Sequence, residues 1–224
     1  MQRQWLIGFF TILAAPSAFA EWSGNAALVS DYLFNGITQT DKEPALQLGV
    51  DWTSDSGVYA GLWGANVDYS NGSDTEIDAW AGYSFSVSKS IEMDIGVAFY
   101  SYHGSDISDE GNYPEVYVKT SYKDWHFNVW YSNDYFGTEA GHVIAMVNYV
   151  YPVSEDKSLT FGIDRSTSLD DERFAWGIND DDYIHWQVVF DWQLERYAVS
   201  LGLHDTDLKD DDSSMFVVGV STAF

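Results

Sequence analysis

Carboxylate side chains recur at every second position within apolar segments of this 224-residue sequence. Glu76 and Asp78 alternate with apolar residues in one segment, and Glu92 and Asp94 do so in another. Because successive side chains of an extended strand point to opposite faces, such carboxylates share one face. Ionised carboxylates attract cations and are costly in an apolar medium, so this face must be hydrated. The pattern predicts an acidic, wet surface backed by an apolar one.

Acidic runs between these segments are candidate sites for divalent cations, because Ca²⁺ and Mg²⁺ prefer carboxylate and carbonyl oxygens. The runs are 170–172, 180–182, and Asp207 with 210–212. None has the fixed ligand positions and central glycine of an EF-hand loop. We therefore expect solvated loops at these positions, with loose bridging by divalent cations as the alternative.

Catalytic chemistry has weaker support in the sequence. The chain has no cysteine, which excludes disulfides, thiolate metal sites and thiol nucleophiles. Its five histidines are dispersed without the H-E-x-x-H spacing, and no G-x-S-x-G elbow is present. A triad assembled by folding stays open as an alternative, because a triad is defined by geometry. We expect no enzymatic activity and no cofactor.

The acidic face belongs to about twelve segments of roughly ten residues with two-residue alternation, the length that a tilted strand needs to cross a bilayer. Apolar residues at i, i+2 and i+4 would scatter around a helix, which excludes a helical interpretation. The connections alternate between short and longer, as in barrels with short periplasmic turns and longer extracellular loops. The segments are 22–34, 45–53, 58–68, 77–85, 91–99, 114–122, 125–135, 142–151, 158–168, 184–194, 197–206 and 215–224.

Both ends of the chain agree with an exported barrel. Arg3, the apolar run 5–15 and the small residues that follow predict a cleavable signal peptide over residues 1–20. The last segment ends on Phe224 with its apolar face complete, so we expect it to pair with another strand. We predict an all-β fold, a single antiparallel up-and-down transmembrane β-barrel of about twelve strands over residues 21–224. A soluble secreted β-sandwich would also alternate and is the alternative fold.

Alternation also assigns a set of side chains to the interior of such a barrel. Its acidic members would concentrate cations and exclude anions if the lumen is open. About twelve strands enclose less space than the sixteen or more of wide porins, so large aromatic residues in the set would narrow the passage. The expected lumen-lining residues are Asp51, Asp68, Glu76, Asp78, Glu92, Asp94, Glu115, Lys119, Asp134, Asp164 and Asp191, and the expected constriction residues are Trp80, Tyr100, Tyr117 and Trp130.

Composition limits the partners. The formal net charge of -25 argues against nucleic acid, because phosphate binding requires lysine and arginine. The expected partners are outer-membrane lipid and ions or small polar solutes, and the sequence carries no signal for an oligomeric state. We interpret the chain as a porin for passive diffusion that prefers cations. The alternatives are a non-conducting structural or adhesive barrel and a lipid-modifying barrel enzyme.

Four stretches of the sequence resemble the TorF family of porins. They are residues 24–40 (GNAALVSDYLFNGITQT), 44–47 (PALQ), 56–68 (SGVYAGLWGANVD) and 131–136 (YSNDYF). The similarity extends over nearly the whole mature chain, and it departs from the family at Leu33 and Asn35, where arginine is common. The resemblance implies an outer-membrane porin and supplies no catalytic residues.

Overall fold

The computed structural model describes residues 21–177, 180–208 and 214–224, which form a closed barrel of twelve antiparallel strands. Each barrel strand pairs with its neighbours in chain order, and the first pairs with the last. The predicted all-β, up-and-down barrel is confirmed, and the β-sandwich alternative is wrong. The predicted signal peptide, 1–20, and the acidic run 210–212 lie outside the described residues.

Fourteen strands are present within the described residues. Of these, β2 and β3 form a separate hairpin that is not paired with the barrel sheet. The strands are β1 (Glu21–Val29), β2 (Leu33–Phe34), β3 (Ile37–Thr38), β4 (Ala45–Thr53), β5 (Val58–Asn66), β6 (Thr75–Ser88), β7 (Ile91–His103), β8 (Tyr113–Tyr122), β9 (Trp125–Ser132), β10 (His142–Pro152), β11 (Lys157–Ser168), β12 (Asp182–Gln193), β13 (Ala198–Thr206) and β14 (Met215–Ala223). Single-turn 3₁₀ helices cover Ser108–Gly111 and Tyr135–Gly137. Within the described parts of the chain, no helix is long and apolar enough to span a membrane.

Three predicted segments extend two or more residues beyond the strands that form. The first continues past β1, which ends at Val29, into residues that fold as the β2–β3 hairpin. The segments predicted to reach Asp68 and Tyr135 end at Asn66 and Ser132. In each case the alternating pattern continues beyond the last residue of the barrel strand. The ends of these strands are set by pairing with neighbouring strands. The alternating pattern carries no information about that pairing.

Side chains alternate between an apolar exterior and a polar interior. Leu62 on β5 and Val97 on β7 expose 53% and 52% of their surface on the outer face. Asp78 on β6 and Asp164 on β11 face the other way and expose 1% and 2%. A soluble sheet packs its apolar face against a core, so this barrel has the reverse polarity. Its exterior suits hydrocarbon, and its interior needs water or hydrogen-bond partners.

Short and long connections gather at opposite ends of the barrel, which confirms the predicted alternation of loop length. We call the two ends the turn end and the loop end, and the adjoining parts of the interior the turn half and the loop half. The turn end carries connections 54–57, 89–90, 123–124, 153–156 and 194–197, and the loop end carries 30–44, 67–74, 104–112, 133–141, 169–181 and 207–214.

The pairing of β1 with β14 closes the sheet at the turn end. The Gly24 N–H donates to the Phe224 carbonyl at 2.7 Å, and the Phe224 N–H donates to the Gly24 carbonyl at 2.9 Å. An open sheet edge would leave a row of unpaired polar groups, which is costly in an apolar medium. The predicted pairing of the last strand is therefore confirmed, and the Phe224 ring remains 81% exposed on the outer face.

Aromatic side chains surround the turn end on the outer face. They lie at the starts or ends of strands, where a membrane barrel meets its interface with water. The exposed members are Trp22, Tyr122, Trp125, Tyr151, Trp192 and Tyr197.

One turn is fixed by a carboxylate. Asp156 accepts hydrogen bonds from Ser154 Oγ at 2.7 Å, Lys157 Nζ at 2.9 Å and Trp192 Nε1 at 3.0 Å. The bonds from Ser154 and Lys157 lower the pKa of Asp156 to about 2. Because the pKa of Asp156 is lower in the folded protein, its ionised carboxylate stabilises the fold above the ordinary carboxyl pKa. This stabilisation is lost as pH falls towards 2.

The two faces of β13 allow a test of the barrel's polarity. Leu201 lies on the outer face, and Ser200 lies on the inner face opposite Asp191 of β12. Leu201→Arg should lower the free energy of unfolding by about 2–4 kcal/mol, because it places a charge in hydrocarbon near mid-barrel. Ser200→Arg should cost clearly less, because its guanidinium can approach Asp191. Urea unfolding in lipid vesicles measures both, and equal costs would contradict the assigned faces.

Candidate functional site: the barrel interior

The β2–β3 hairpin lies inside the barrel. Asn35 and Gly36 have φ angles of 46° and 81°, which suit the type I′ turn that asparagine–glycine pairs favour. The Phe34 ring contacts the Tyr100 ring of β7, with 6.3 Å between centroids. On the far wall, the Tyr183 hydroxyl of β12 donates to the Asn35 carbonyl at 3.1 Å. Four strands separate β7 from β12, so the hairpin bridges opposite walls of the lumen.

Buried polar contacts hold the stem of the hairpin. The Asp31 carboxylate accepts hydrogen bonds from Thr38 Oγ1 at 2.6 Å and Thr40 Oγ1 at 3.1 Å. The Tyr69 hydroxyl donates to the Gln39 side chain. Burial raises the pKa of Tyr69 well above its usual value, so this hydroxyl stays protonated and acts as a donor. The hairpin is therefore positioned by side-chain contacts and by the backbone bond from the Asp68 N–H to the Gln39 carbonyl, at 2.8 Å, and not by the barrel sheet.

Aromatic rings fill the loop half of the interior beside the hairpin. Tyr135 stacks on His142 with 3.8 Å between centroids, and Trp176 meets Tyr183 edge-on at 4.6 Å. Several of these rings come from loops, so the loops fold inward. We call this set the aromatic plug, and it comprises Tyr69, Tyr100, Tyr102, Tyr113, Tyr135, Phe136, His142, Phe174, Trp176 and Tyr183.

Three buried carboxylates lie next to the plug. Glu76 and Asp78 are on β6, and Glu115 is on β8. The Tyr102 hydroxyl donates to Glu76 Oε1 at 3.1 Å, and the Tyr100 hydroxyl donates to Glu115 Oε2 at 2.8 Å. Hydrogen bonds to ionised groups are stronger than neutral ones, which offsets part of the cost of burying these charges.

The turn half holds a second, less buried group. The Tyr59 hydroxyl donates to Asp94, and the Tyr59 and Tyr117 hydroxyls are 2.6 Å apart. The ammonium of Lys119 lies 4.4 Å from the centre of the Tyr117 ring and 5.9 Å from that of Trp130. The predicted basic residue thus lies against two of the predicted constriction residues.

A buried chain of hydrogen bonds links β11, β12 and β13. His185 Nδ1 is 2.6 Å from Asp164 Oδ2, and His185 Nε2 is 3.1 Å from His204 Nδ1. An ionised carboxylate accepts only, so His185 Nδ1 donates to Asp164. The bond to Asp164 orients the His185 ring, and one of His185 Nε2 and His204 Nδ1 donates to the other.

The described residues assemble only parts of a catalytic triad. The second nitrogen of His185 is occupied by His204 instead of a hydroxyl. Ser121 Oγ lies 3.0 Å from His126 Nδ1, but His126 Nε2 has no hydrogen-bond partner where a triad places a carboxylate. The lipid-modifying alternative gains no geometric support from these histidines.

The structure places most predicted lumen residues on the inner face of strands, at different depths. Gly61 lies beneath both the Trp80 ring and the Asp51 carboxylate, which brings these two together. The predicted residues on the inner face are Glu76, Asp78, Tyr100, Glu115, Tyr117, Trp130 and Asp164, which are buried, and Asp51, Trp80, Asp94, Lys119 and Asp191, which are half-buried.

Two predicted lumen positions require correction. Asp68 follows the end of β5 and is exposed on a loop. Asp134 follows the end of β9, and its carboxylate accepts the Glu139 N–H at 2.7 Å within a loop. Both assignments extended strand alternation into residues that are not in strands. The predicted lumen residue Glu92 does lie in a strand, β7, but it is exposed at the turn end.

Two arginines pair with acids at the loop end of β11 and β12. Within the loop between these strands, Arg173 Nε lies 3.3 Å from Asp170, and Arg165 of β11 forms an ion pair with Asp182, the first residue of β12. Among the described residues, no group of three or more histidine, aspartate or glutamate side chains is placed to hold a metal ion. In the described acidic runs, Asp171, Glu172 and Asp181 are exposed.

Sequence reasoning missed the hairpin and the cross-strand contacts. The Asn35–Gly36 pair is a strong hairpin signal that could have been recognised. The contact of Asp164 with His185 depends on the register of β11 against β12, which places these two residues opposite each other. No local pattern encodes that register.

The sequence matches a known protein family. A model of the Gcw_chp family, described as bacterial proteins of unknown function, matches residues 13–221. The chain belongs to the Gcw_chp family. No curated protein matches the sequence.

Solved porin structures share the fold of this Gcw_chp protein. The KdgM porin aligns with a TM-score of 0.59 at 11% identity, covering 90% of this chain and 99% of that one. KdgM in complex with disordered oligogalacturonate gives 0.57 at 12% identity, and the NanC porin gives 0.56 at 13%, with the same coverage. At these identities the likeness shows the barrel fold alone.

Two glycines allow a test of hairpin docking. Gly36 and Gly72 have similar φ angles of 81° and 84°, so alanine is strained equally at both. A Cβ at Gly36 would lie 2.5 Å from the His185 ring, whereas one at Gly72 would lie 3.3 Å from Ser105 Cβ. Gly36→Ala should therefore destabilise the protein by about 1–3 kcal/mol more than Gly72→Ala, through overpacking.

Urea unfolding measures this difference, and limited proteolysis within residues 30–44 reports release of the hairpin. Equal stability and equal protease resistance of the two variants would contradict docking of the hairpin tip on His185.

Proposed function

We propose that this chain is an outer-membrane, porin-like barrel that lets ions or small polar solutes diffuse passively and prefers cations. The observation that carries the proposal is the reversed polarity of the closed sheet, with apolar side chains exposed and carboxylates buried. Only a hydrocarbon surrounding makes such an exterior favourable, and a closed barrel satisfies its backbone polar groups there. The resemblance to TorF porins and the barrel fold shared with KdgM and NanC support it.

The alternation of connection lengths supports an orientation. Barrels of this kind have short periplasmic turns and longer extracellular loops. The turn end would then face the periplasm, with both Glu21 and Phe224 on that side. The predicted signal peptide, 1–20, supports export to this location.

The charges on the inner face favour cations. A lumen lined by one sign of charge concentrates counter-ions and repels ions of like charge. Oligogalacturonate, bound in one KdgM structure, carries carboxylates, which this interior would repel. We therefore propose a different solute class for this chain. The acids on the inner face are Asp51, Glu76, Asp78, Asp94, Glu115, Asp164 and Asp191, and the base is Lys119.

The filled loop half also favours a second candidate, a non-conducting structural barrel. The hairpin and the aromatic plug occupy this half in the conformation described. Passage of solutes therefore requires the hairpin to leave its site between β7 and β12. In the porin-like barrel the hairpin would move out of this site while the barrel stays folded. In the structural barrel it would remain in place.

Planar-bilayer recording of the purified protein tests conduction and selectivity. With a salt gradient, we expect a reversal potential of the sign given by cation flow. The preference should shrink between about 0.1 M and 1 M salt, because the screening length falls from roughly 10 Å to 3 Å. An anion-selective potential would contradict the acidic lumen, and absence of current in folded protein would favour the structural candidate.

A reversible cross-link tests the role of the hairpin, and the absence of native cysteine makes it specific. The double variant Asn35→Cys with Tyr183→Cys joins the hairpin tip to β12 through a short bifunctional methanethiosulfonate reagent. We expect current to fall strongly on cross-linking and to recover on reduction. Each single variant with the same reagent is the control. Unchanged current in the cross-linked protein would exclude the hairpin as the barrier.

A further inference from the structure

The carboxylates of β6 lie together in the loop half, between aromatic side chains. Glu76 and Asp78 are two residues apart and share the inner face. Trp63 of β5 and Tyr100 of β7 are the cross-strand partners of Asp78. Tyr100 also donates to Glu115, which places a third carboxylate on the other side of this ring. The register thus builds an acidic site with aromatic walls.

Three oxygen atoms in this site have no hydrogen-bond partner. They are both carboxylate oxygens of Asp78 and the Oε2 atom of Glu76, whereas Glu76 Oε1 is bonded by the Tyr102 hydroxyl. Asp78 is 1% exposed. A buried carboxylate without donors is costly, and native structures normally satisfy such groups. The unpaired oxygens therefore indicate a missing donor.

Protein cations do not fill this role among the described residues. The ammonium of Lys119 interacts electrostatically with Glu115 and Asp94, and Lys119 lies closer to the turn end than Asp78 does. The ion pairs of the described residues lie elsewhere, at Asp156, Asp164, Asp170, Glu139 and Asp182. The donors for the Asp78 carboxylate therefore come from outside the protein.

We propose that Asp78 and Glu76 bind the ammonium group of a small organic amine. A primary ammonium has three N–H donors, enough for both unpaired oxygens of Asp78 and for the neighbouring Glu76, whose carboxylate also interacts with the hydroxyls of Tyr102 and Tyr32. Trp63 and Tyr100, the cross-strand partners of Asp78, add aromatic surface beside it, which favours an organic cation. No three acidic or histidine groups among the described residues are placed to chelate a metal ion, which favours the ammonium over an inorganic ion.

The site lies below the inserted hairpin. Phe34 packs on Tyr100, and the Tyr32 ring meets Trp63 edge-on with 5.3 Å between centroids. An amine would therefore reach Asp78 from the loop end only when the hairpin moves. The assignment of amines as transported solutes rests on the proposed function, but their binding to this site does not require conduction.

Isothermal titration of the folded mature protein in detergent, at low salt, tests the site with putrescine as the probe. The diol of the same chain length is the neutral control, and CaCl₂ is the inorganic one. We expect saturable binding of putrescine only. Asp78→Asn should weaken it about tenfold or more, since hydrogen bonds to charged groups contribute this much, and Glu76→Gln should also weaken it. Glu110→Gln, on an exposed loop, removes the same charge and should leave the affinity unchanged.

Each other result would overturn the proposal. Equal affinity in Asp78→Asn and wild type would place the amine elsewhere. Asp78-dependent binding of Ca²⁺ without binding of putrescine would make this an inorganic cation site. Absence of any binding would show that Asp78 does not hold an amine in the folded barrel. Heat-modifiable migration on gels verifies that the variants are folded.

The binding experiment is independent of the conductance experiment. A barrel that binds putrescine but passes no current would retain the amine site and lose the porin function. A barrel that conducts cations but shows no Asp78-dependent binding would retain the porin function and lose the amine site.

Discussion

The need to pair every backbone polar group of the sheet determines the rest of this structure. The bonds between Gly24 and Phe224 complete a ladder with no free edge. Once the edge is removed, the outer face is free to be wholly apolar, as Leu62 and Val97 illustrate. Because side chains alternate, the residues between them must then point inward. The polar interior is therefore a consequence of closure.

An interior of this size must be filled or hydrated, and this chain uses both solutions. In the loop half, tyrosine hydroxyls donate to Glu76 and Glu115, and the hairpin takes up the remaining space. In the turn half, Asp94 and Asp191 remain half-buried and are closer to solvent. Tyrosine suits the first task because its ring fills volume while its hydroxyl satisfies a carboxylate.

The sequence predicted what depends on local alternation and missed what depends on register. Strand number, inner and outer faces and the two classes of connection all follow from a period of two. Asp68 and Asp134 were misplaced because their alternation continues after pairing has ended. The contact of His185 with Asp164 follows from the alignment of β11 with β12, which is fixed only when the barrel closes.

The hairpin differs from the barrel in how it is stabilised, and this difference bears on function. Its two strands pair over two residues each, and an isolated two-stranded hairpin is marginally stable at best. It is held by a few side-chain contacts, such as those of Asp31 and Tyr183, and local units of this kind can open without global unfolding. The twelve-stranded ladder has no such freedom, because each strand depends on both neighbours. Local opening of the hairpin would therefore leave the closed sheet and the polarity of its two faces unchanged.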